Sequence, residues 1–219
     1  MKKINKTIIL AEKYYKWQKN NNQSRDYSKN RLEHYTDVVY NLLYCQDGCC
    51  AYTEELLVEK KVIGKIPSQF NDGKFKGSTR DIMGDIEHFC CMNKKTHGWN
   101  WDNLFIVSIP VNRGIKMINE KFLLKQKGKG INPILKPDHH NYDPFKYLEY
   151  NSQLHQFFPK DDPENDPIIE DIEDMLFVLG MNHPFVVGKR RRYLSEKFHR
   201  KAEISEIEEY FTAFKMATM

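Results

Sequence analysis

The 219-residue sequence has no long hydrophobic run. The apolar stretch Leu104-Phe105-Ile106-Val107 is among the longest, whereas a membrane-spanning helix needs about 20 apolar residues. The basic start, Met1–Lys6, is followed by a short apolar stretch that stops at Glu12, which is too little for a signal-peptide core. These absences predict a cytoplasmic protein without a membrane partner.

Cysteine is also sparse and irregular. The five cysteines form two groups, at positions 45, 49 and 50 and at positions 90 and 91, an odd number with no regular spacing. A disulfide framework is therefore not indicated, and without an export signal we expect reduced thiols.

A third absence concerns nucleotide binding and charge. The sequence contains no G-x-x-x-x-G-K-[ST] motif, so any dependence on ATP must come from another chain. The 34 basic and 30 acidic residues give a net charge of +4, which permits nucleic-acid binding without requiring it. The aromatic content of 13% and the chain length argue for a folded core.

The periodicity of apolar residues predicts helices at both ends of the chain. Helical spacing is present over positions 7–18 and about 29–44, and again over 168–179 and 185–215. The segment after Cys45, "CQDGCCAYTEELL", combines an Asp-Gly turn signal with short β-like runs, and 66–80 is typical of a loop.

The middle of the chain has a different pattern. Extended runs begin at Asp81 and at Trp101, and Pro110 is well placed to open a helix with apolar residues at Val111, Ile115, Ile118 and Phe122. We therefore predict an α+β fold, a small ββα core within a mostly helical single domain. Its divisions would be a helical region 1–44, the core 45–125, and an extended and helical region 126–219.

The stretch "GDIEHF" places Asp85, Glu87 and His88 in one of these extended runs. Asn103, in "NWDNLFIVS", and Asn112, in "PVNRGIKM", follow His88 after 15 and 24 residues. A hairpin packed on a helix can bring the start of the second strand and the first helical turn beside the histidine. Taken singly, each of these residues has an ordinary structural explanation, so the argument depends on their combination.

"DIEH … DNLFIVSIPVNRG" resembles the core of the HNH endonuclease family, which has a ββα-metal fold, over about residues 84–118. More broadly, the chain resembles the PtuB-like HNH nucleases of Septu and retron-associated anti-phage defence. The segments that carry this likeness are "CCAYTEELL", "WDNLF", "NPILKPDHHNYDPF" and "VLGMNHPFVVGKRRRYL".

The resemblance implies roles for the matching residues. His88 would act as the general base, Asn103 would fix the loop and orient His88, and Asn112 would complete the motif. One divalent cation, Mg²⁺ or Mn²⁺, would be held by Glu87 and Asn112, with Asp85 as a second candidate ligand.

Relatives of this layout often carry two Cys-x-x-Cys knuckles that bind structural zinc. Here they read Cys50-Ala51-Tyr52-Thr53 and Ser108-Ile109-Pro110-Val111, so three of the four ligand positions are lost. Because a closed zinc site needs four nitrogen or sulfur donors, we expect no structural zinc. Apolar packing of Tyr52, Ile109 and Val111 would take its place.

Several cations are candidates for nucleic-acid contacts. Arg113 and Lys116 lie near the predicted helix start, where anions are favoured. The densest group is Lys189, Arg190, Arg191 and Arg192, for which a solvated helix face is an equally good interpretation. A metal site at His139-His140 is less favoured, because adjacent side chains on an extended segment diverge.

The resemblance thus implies a metal-dependent endonuclease that cleaves nucleic acid, DNA more than RNA, in antiviral defence with an ATPase partner of the SMC/ABC type. The alternative is a catalytically silent HNH-fold subunit that binds nucleic acid or acts as a scaffold. A stand-alone restriction or homing enzyme is less favoured, because no sequence-reading module is recognisable.

Overall fold

The computed structural model describes residues 1–20, 31–77 and 83–219, with the backbone alone at 31–33. The first two residues of the predicted strand, 81 and 82, lie outside this part, as do the first two of the second helix, 29 and 30. The chain forms two compact units. The N-terminal unit is Ile4–Cys50 with Leu57–Ser108, and the C-terminal unit is Met1–Lys3, Ala51–Leu56 and Ile109–Met219.

The N-terminal unit combines helices with two short antiparallel hairpins. Its elements are α1 (Glu12–Asn20), α2 (Arg31–Cys45), α3 (Lys60–Ile63), β1 (Phe70–Asn71), β2 (Lys74–Phe75), β3 (Gly84–His88) and β4 (Leu104–Ser108). The predicted loop over 66–80 contains the β1–β2 hairpin, because Asp72 and Gly73 both have positive φ and form its turn. The segment after Cys45 forms turns with isolated β-bridge residues at Cys49 and Leu56, rather than the predicted β-like runs.

The hairpin β3–β4 pairs Gly84 with Ser108 at one end and His88 with Leu104 at the other. Every residue of β4 is buried. A Cβ atom at Gly84 would lie 2.7 Å from Cγ2 of Ile106, so the close packing at this position requires glycine. The hairpin is therefore anchored along its whole second strand.

A side chain supports β4 where a third strand would otherwise pair with it. The Gln46 carboxamide accepts a hydrogen bond from the Ile106 amide at 2.9 Å and donates to the Ile106 carbonyl at 2.8 Å. Because an isolated two-stranded sheet is only marginally stable in water, such support contributes to keeping the hairpin formed.

An aromatic cluster completes the core of this unit. Trp99 and Trp101 are 1% and 4% exposed, so both indole rings are buried. The Tyr14 hydroxyl donates to the Trp99 carbonyl, and burial raises the pKa of Tyr14. Lys6 donates from Nζ to the Trp101 carbonyl at 2.9 Å. The loop before β4 is thus held from several sides.

The C-terminal unit begins with a π-helical turn over Pro110–Lys116 that continues into α4 (Met117–Lys127). Its other elements are α5 (Pro144–Tyr147), β5 (Leu148–Asn151), β6 (Gln156–Pro159), α6 (Ile169–Val178), α7 (Pro184–His199) and α8 (Phe211–Thr218). The helix predicted over 185–215 is wrong as a single element. Positive φ angles at Lys201 and Tyr210 change the chain direction between α7 and α8.

The π-helical turn changes which residues are buried in the helix predicted to begin at Pro110. Val111 and Ile115 are buried, whereas Ile118 is 61% and Phe122 is 55% exposed. A π-helical turn bonds i to i+5 and so adds a residue to the turn, which rotates the following α-helix by about 100°. Helix α4 consequently buries Glu120 and Leu123.

The hairpin β5–β6 pairs Leu148 with Pro159 and Asn151 with Gln156. The Asn182 carboxamide accepts from the Phe157 amide at 2.9 Å and donates to the Phe157 carbonyl at 2.6 Å. Gln46 makes the same pair of bonds to β4. The observed architecture, helices with small antiparallel hairpins, is α+β, as predicted.

Candidate functional site

His88 is the last residue of β3 and is only 2% exposed. Its Nε2 atom lies 2.8 Å from the carbonyl oxygen of Gly98. A carbonyl oxygen can only accept, so Nε2 must carry a hydrogen. In the neutral ring Nδ1 is therefore the nitrogen whose lone pair can take up a proton.

Asn103 fixes the backbone immediately after His88. Its Oδ1 accepts from the Cys90 amide at 2.9 Å, and its Nδ2 donates to the Cys90 carbonyl at 3.1 Å. Its main-chain carbonyl also accepts from the Phe89 amide at 2.9 Å. The structure thus brings His88 and Asn103 together at one end of the hairpin.

The acidic residues of the motif lie on the other side of β3. Asp85 and Glu87 are half-buried and alternate along the strand with Ile86 and His88, which are buried. Successive side chains of a strand point to opposite faces, so the two carboxylates share a face from which His88 points away. In the described part of the chain, β3 pairs with β4 alone, which leaves its outer edge without a strand neighbour.

Asn112 lies in the C-terminal unit, four residues beyond the end of β4. It is half-exposed, Arg113 is exposed, and both belong to the π-helical turn that Pro110 opens. Such turns are rare and are frequently found at functional sites. The third motif residue thus occupies an unusual backbone segment that the sequence pattern did not predict.

Two of the predicted phosphate-binding cations are buried. Lys116 is 1% exposed, and its Nζ atom lies 2.6 Å from Oε2 of Glu120. Arg190 is also 1% exposed and donates to the carbonyls of His155 at 2.8 Å and Met181 at 2.6 Å. In this conformation neither cation reaches a phosphate.

Helical geometry explains why Arg190 is buried while its neighbours are not. Four consecutive residues of an α-helix point in directions about 100° apart, so a run of cations cannot lie on one face. Arg191 and Arg192 are exposed, while Lys189 is half-buried and forms an ion pair with Glu55. Arg113, Lys189, Arg191 and Arg192 therefore remain as candidate contacts.

The donor types in the motif fit a hard divalent cation. Asp85 and Glu87 offer carboxylate oxygens, and Asn112 offers a carboxamide oxygen, all from half-buried positions. Within residues 1–20, 31–77 and 83–219, no three His, Cys, Asp or Glu side chains are grouped so as to hold a metal ion. The candidate set here includes the Asn112 carboxamide, a donor that such a group does not count.

The first positions of the two degenerate zinc knuckles are in contact. The Cys50 Sγ atom accepts from the Ser108 amide at 3.4 Å. Tyr52 and Val111 are fully buried, as the predicted apolar packing requires. Ile109 is 37% exposed, so the prediction is wrong for this residue.

His139 and His140 do not diverge, which corrects the prediction. Their ring centroids are 4.4 Å apart, because the chain turns here, with His139 bonded through its amide to the Lys136 carbonyl. Burial, and secondarily the neighbouring His140, lowers the pKa of His139. Lys3 donates to the His140 carbonyl at 2.6 Å. The pair belongs to a packed turn of the C-terminal unit.

No protein-family model matches this chain, and no curated protein shows significant sequence similarity to it. Of the helices in the described ranges, none combines the length and the hydropathy needed to cross a bilayer.

Proposed function

We propose that this chain is a metal-dependent endonuclease of the HNH type that hydrolyses phosphodiester bonds in nucleic acid. The observation that carries the proposal is the β3–β4 hairpin. Its first strand ends in His88, and Asn103 fixes the residues that follow. Its second strand leads directly into the π-helical turn that carries Asn112. This is the order of residues and elements that the resemblance requires.

In this proposal His88 takes the proton from the attacking water. Gly98 holds its Nε2–H, so the proton would be accepted at Nδ1. Asn103 keeps the backbone after His88 in place, and would thereby help to orient the ring.

Glu87 and Asn112 would hold the divalent cation, with Asp85 as the second candidate. When bound, Mg²⁺ or Mn²⁺ supplies Lewis-acid stabilisation of the phosphate charge and the leaving oxygen. Glu87 and Asp85 would offer their carboxylates from the face of β3 opposite His88. Arg113, at the beginning of the helical segment, would contact an adjacent phosphate.

The biological part of the proposal rests on the resemblance. The chain would act on DNA in preference to RNA, in the cytoplasm, as part of an antiviral defence system. Its sequence has no P-loop motif, so an ATPase of the SMC/ABC type would control its activity from a separate chain.

A second candidate is a silent HNH-fold subunit that binds nucleic acid or acts as a scaffold. The observation that favours it is the burial of His88, which is 2% exposed while both nearby acids lie on the opposite strand face. In this case the motif would stabilise the hairpin without chemistry.

Cleavage of supercoiled plasmid separates the two candidates. The endonuclease proposal expects nicking by the wild type with Mg²⁺ or Mn²⁺, and loss of nicking with a chelator or in His88→Ala. His155→Ala is the matched control, because His155 is also buried and lies in the other unit. Unchanged cleavage in His88→Ala would remove the proposed base. If the isolated chain does not cut, the same variants are compared for phage protection in cells that express the ATPase.

A further inference from the structure

A pocket of about 320 Å³ lies in the C-terminal unit, apart from the motif residues. This volume is within the range of small-molecule sites, about 300–1,000 Å³. Its walls combine aromatic rings with cations, and its principal lining residues are Lys2, Lys3, Tyr142, Phe145, Phe211 and Thr212.

The two phenylalanines are half-buried and each has a lysine over its ring. The Lys2 ammonium lies 5.6 Å from the Phe211 ring centroid, and the Lys215 ammonium lies 4.8 Å from that of Phe145. Flat aromatic surface and positive charge therefore occur together at the pocket.

The charge at the pocket is positive on balance. Lys2, Lys3 and Lys215 are exposed cations, and the one acidic lining residue, Asp143, uses Oδ1 to accept from the Phe145 amide at the start of α5. The floor is fixed, because fully buried Tyr142 donates its hydroxyl hydrogen to the Met1 carbonyl at 3.0 Å. A ligand for this site should combine a planar ring with negative charge.

We propose that this pocket binds one nucleotide of a single-stranded nucleic acid. The base would stack against the rings of both Phe145 and Phe211, and the phosphates of the strand would be neutralised by Lys2, Lys3 and Lys215. A base within a duplex is already stacked and paired, so an unpaired strand is the form that can enter. The inference rests on the proposed function, since it assigns a strand-holding site to the same substrate class.

The test is fluorescence anisotropy of the full chain in EDTA, with a labelled single strand of about 12 nucleotides, a span within known single-strand site sizes. Phe145→Ala and Phe211→Ala should each weaken binding about 5- to 150-fold, the effect of losing one base–aromatic stack. Lys215→Gln should reduce the slope of log K against log salt by about 0.7. Phe145→Leu keeps apolar bulk without a ring face and should also weaken binding, with circular dichroism as the check on folding.

Phe122→Ala and Lys121→Gln are matched controls, because both residues are exposed in the same unit but do not line the pocket. Their affinity should equal that of the wild type. The proposal is overturned if wild type binds no single strand, if Phe145→Ala and Phe145→Leu bind as well as wild type, or if duplex of the same length binds more tightly. Equal affinity for free AMP and the oligonucleotide would reassign the pocket to free nucleotides and overturn the strand proposal.

Failure here is distinguishable from failure of the proposed nuclease. His88→Ala should retain wild-type anisotropy while losing cleavage. Ring-independent binding in a chain that still cuts plasmid overturns only the pocket. Ring-dependent binding in a chain that never cuts overturns only the nuclease.

Discussion

The hairpins β3–β4 and β5–β6 each carry one buried histidine, and the two are held in different ways. His88 ends its strand and bonds through Nε2 to the Gly98 main chain. His155 lies in the tight turn between its strands at φ 57°, with Nδ1 2.8 Å from the Tyr150 hydroxyl. Burial, and then Arg191 and Arg190, lowers the pKa of His155.

This difference separates a candidate base from a structural histidine. Burial raises the pKa of Tyr150 to about 12, so its hydroxyl stays protonated where it meets His155 Nδ1. That hydrogen bond engages Nδ1 of His155. In His88 it is Nε2 that is committed as a donor, and the adjacent residue is the acid Glu87. Two histidines of similar burial are therefore suited to different tasks.

The largest expected effect is that of removing the candidate base. His88→Ala should lower the single-turnover rate of plasmid cleavage by about 100- to 10,000-fold, the usual contribution of general acid–base catalysis. His155→Ala should stay within about threefold of wild type at a temperature where both variants are folded, since it removes no group from the proposed chemistry. Equal losses in the two variants would contradict the distinction between the hairpins.

The next comparison is between the two acids of β3. Glu87→Gln removes a proposed ligand charge and should lower the cleavage rate at fixed Mg²⁺ by about 100-fold, the upper end for disrupting a metal's surroundings. It should also raise the Mg²⁺ concentration needed for half-maximal rate. Asp85→Asn should have the smaller effect in the same titration. The reverse order would make Asp85 the ligand.

A third comparison uses two carboxamides, each of which bonds to both the amide and the carbonyl of one residue in or beside a hairpin. Asn103→Ala and Asn182→Ala each remove two hydrogen bonds, to Cys90 and to Phe157 respectively, and should lower the free energy of unfolding by about 2–4 kcal/mol. Urea denaturation measures this cost. Cleavage assayed where both variants remain folded should fall in Asn103→Ala and not in Asn182→Ala, because only Asn103 fixes the backbone beside His88.

The smallest effect expected is on the pH dependence of stability. The pKa of His155 is lowered in the fold, so below about pH 6.5 the unfolded chain binds a proton that the folded chain does not. This histidine therefore destabilises the fold as the pH falls from 7.5 to 5.5. His155→Gln should lose less free energy of unfolding than wild type over that interval, measured by urea denaturation at each pH. An identical or larger loss would show that the ring titrates normally in the fold.

Much of the local structure could be predicted from the sequence where one physical signal dominates. The helix Ile169–Val178 and the strand Leu104–Ser108 follow their apolar patterns closely. The helix predicted over 185–215 was wrong, because its periodicity continues through a segment where the backbone reverses near Lys201 and Tyr210. Side-chain periodicity does not report such backbone reversals.

The candidate site could be predicted only in part. Residue types and order pointed to His88, Asn103 and Asn112, and the structure joins the first two through the loop after β3. Pattern alone could not show that Lys116 and Arg190 are buried, because burial of a cation depends on partners such as Glu120 and the His155 carbonyl that are distant or one turn away. The pocket bounded by Phe145 and Phe211 was missed because its residues are separated by more than 60 positions.

The sequence by itself determined the α+β class and the order of the motif residues, because these depend on local backbone preference and on spacing along one strand or helix. Only the tertiary structure decided the π-helical turn over Pro110–Lys116, which turns Ile118 and Phe122 outward and Glu120 inward. One extra residue in a helical turn changes nothing in composition, but it rotates every side chain that follows by about 100°. Packing against the rest of the unit, which no local pattern encodes, selects that rotation.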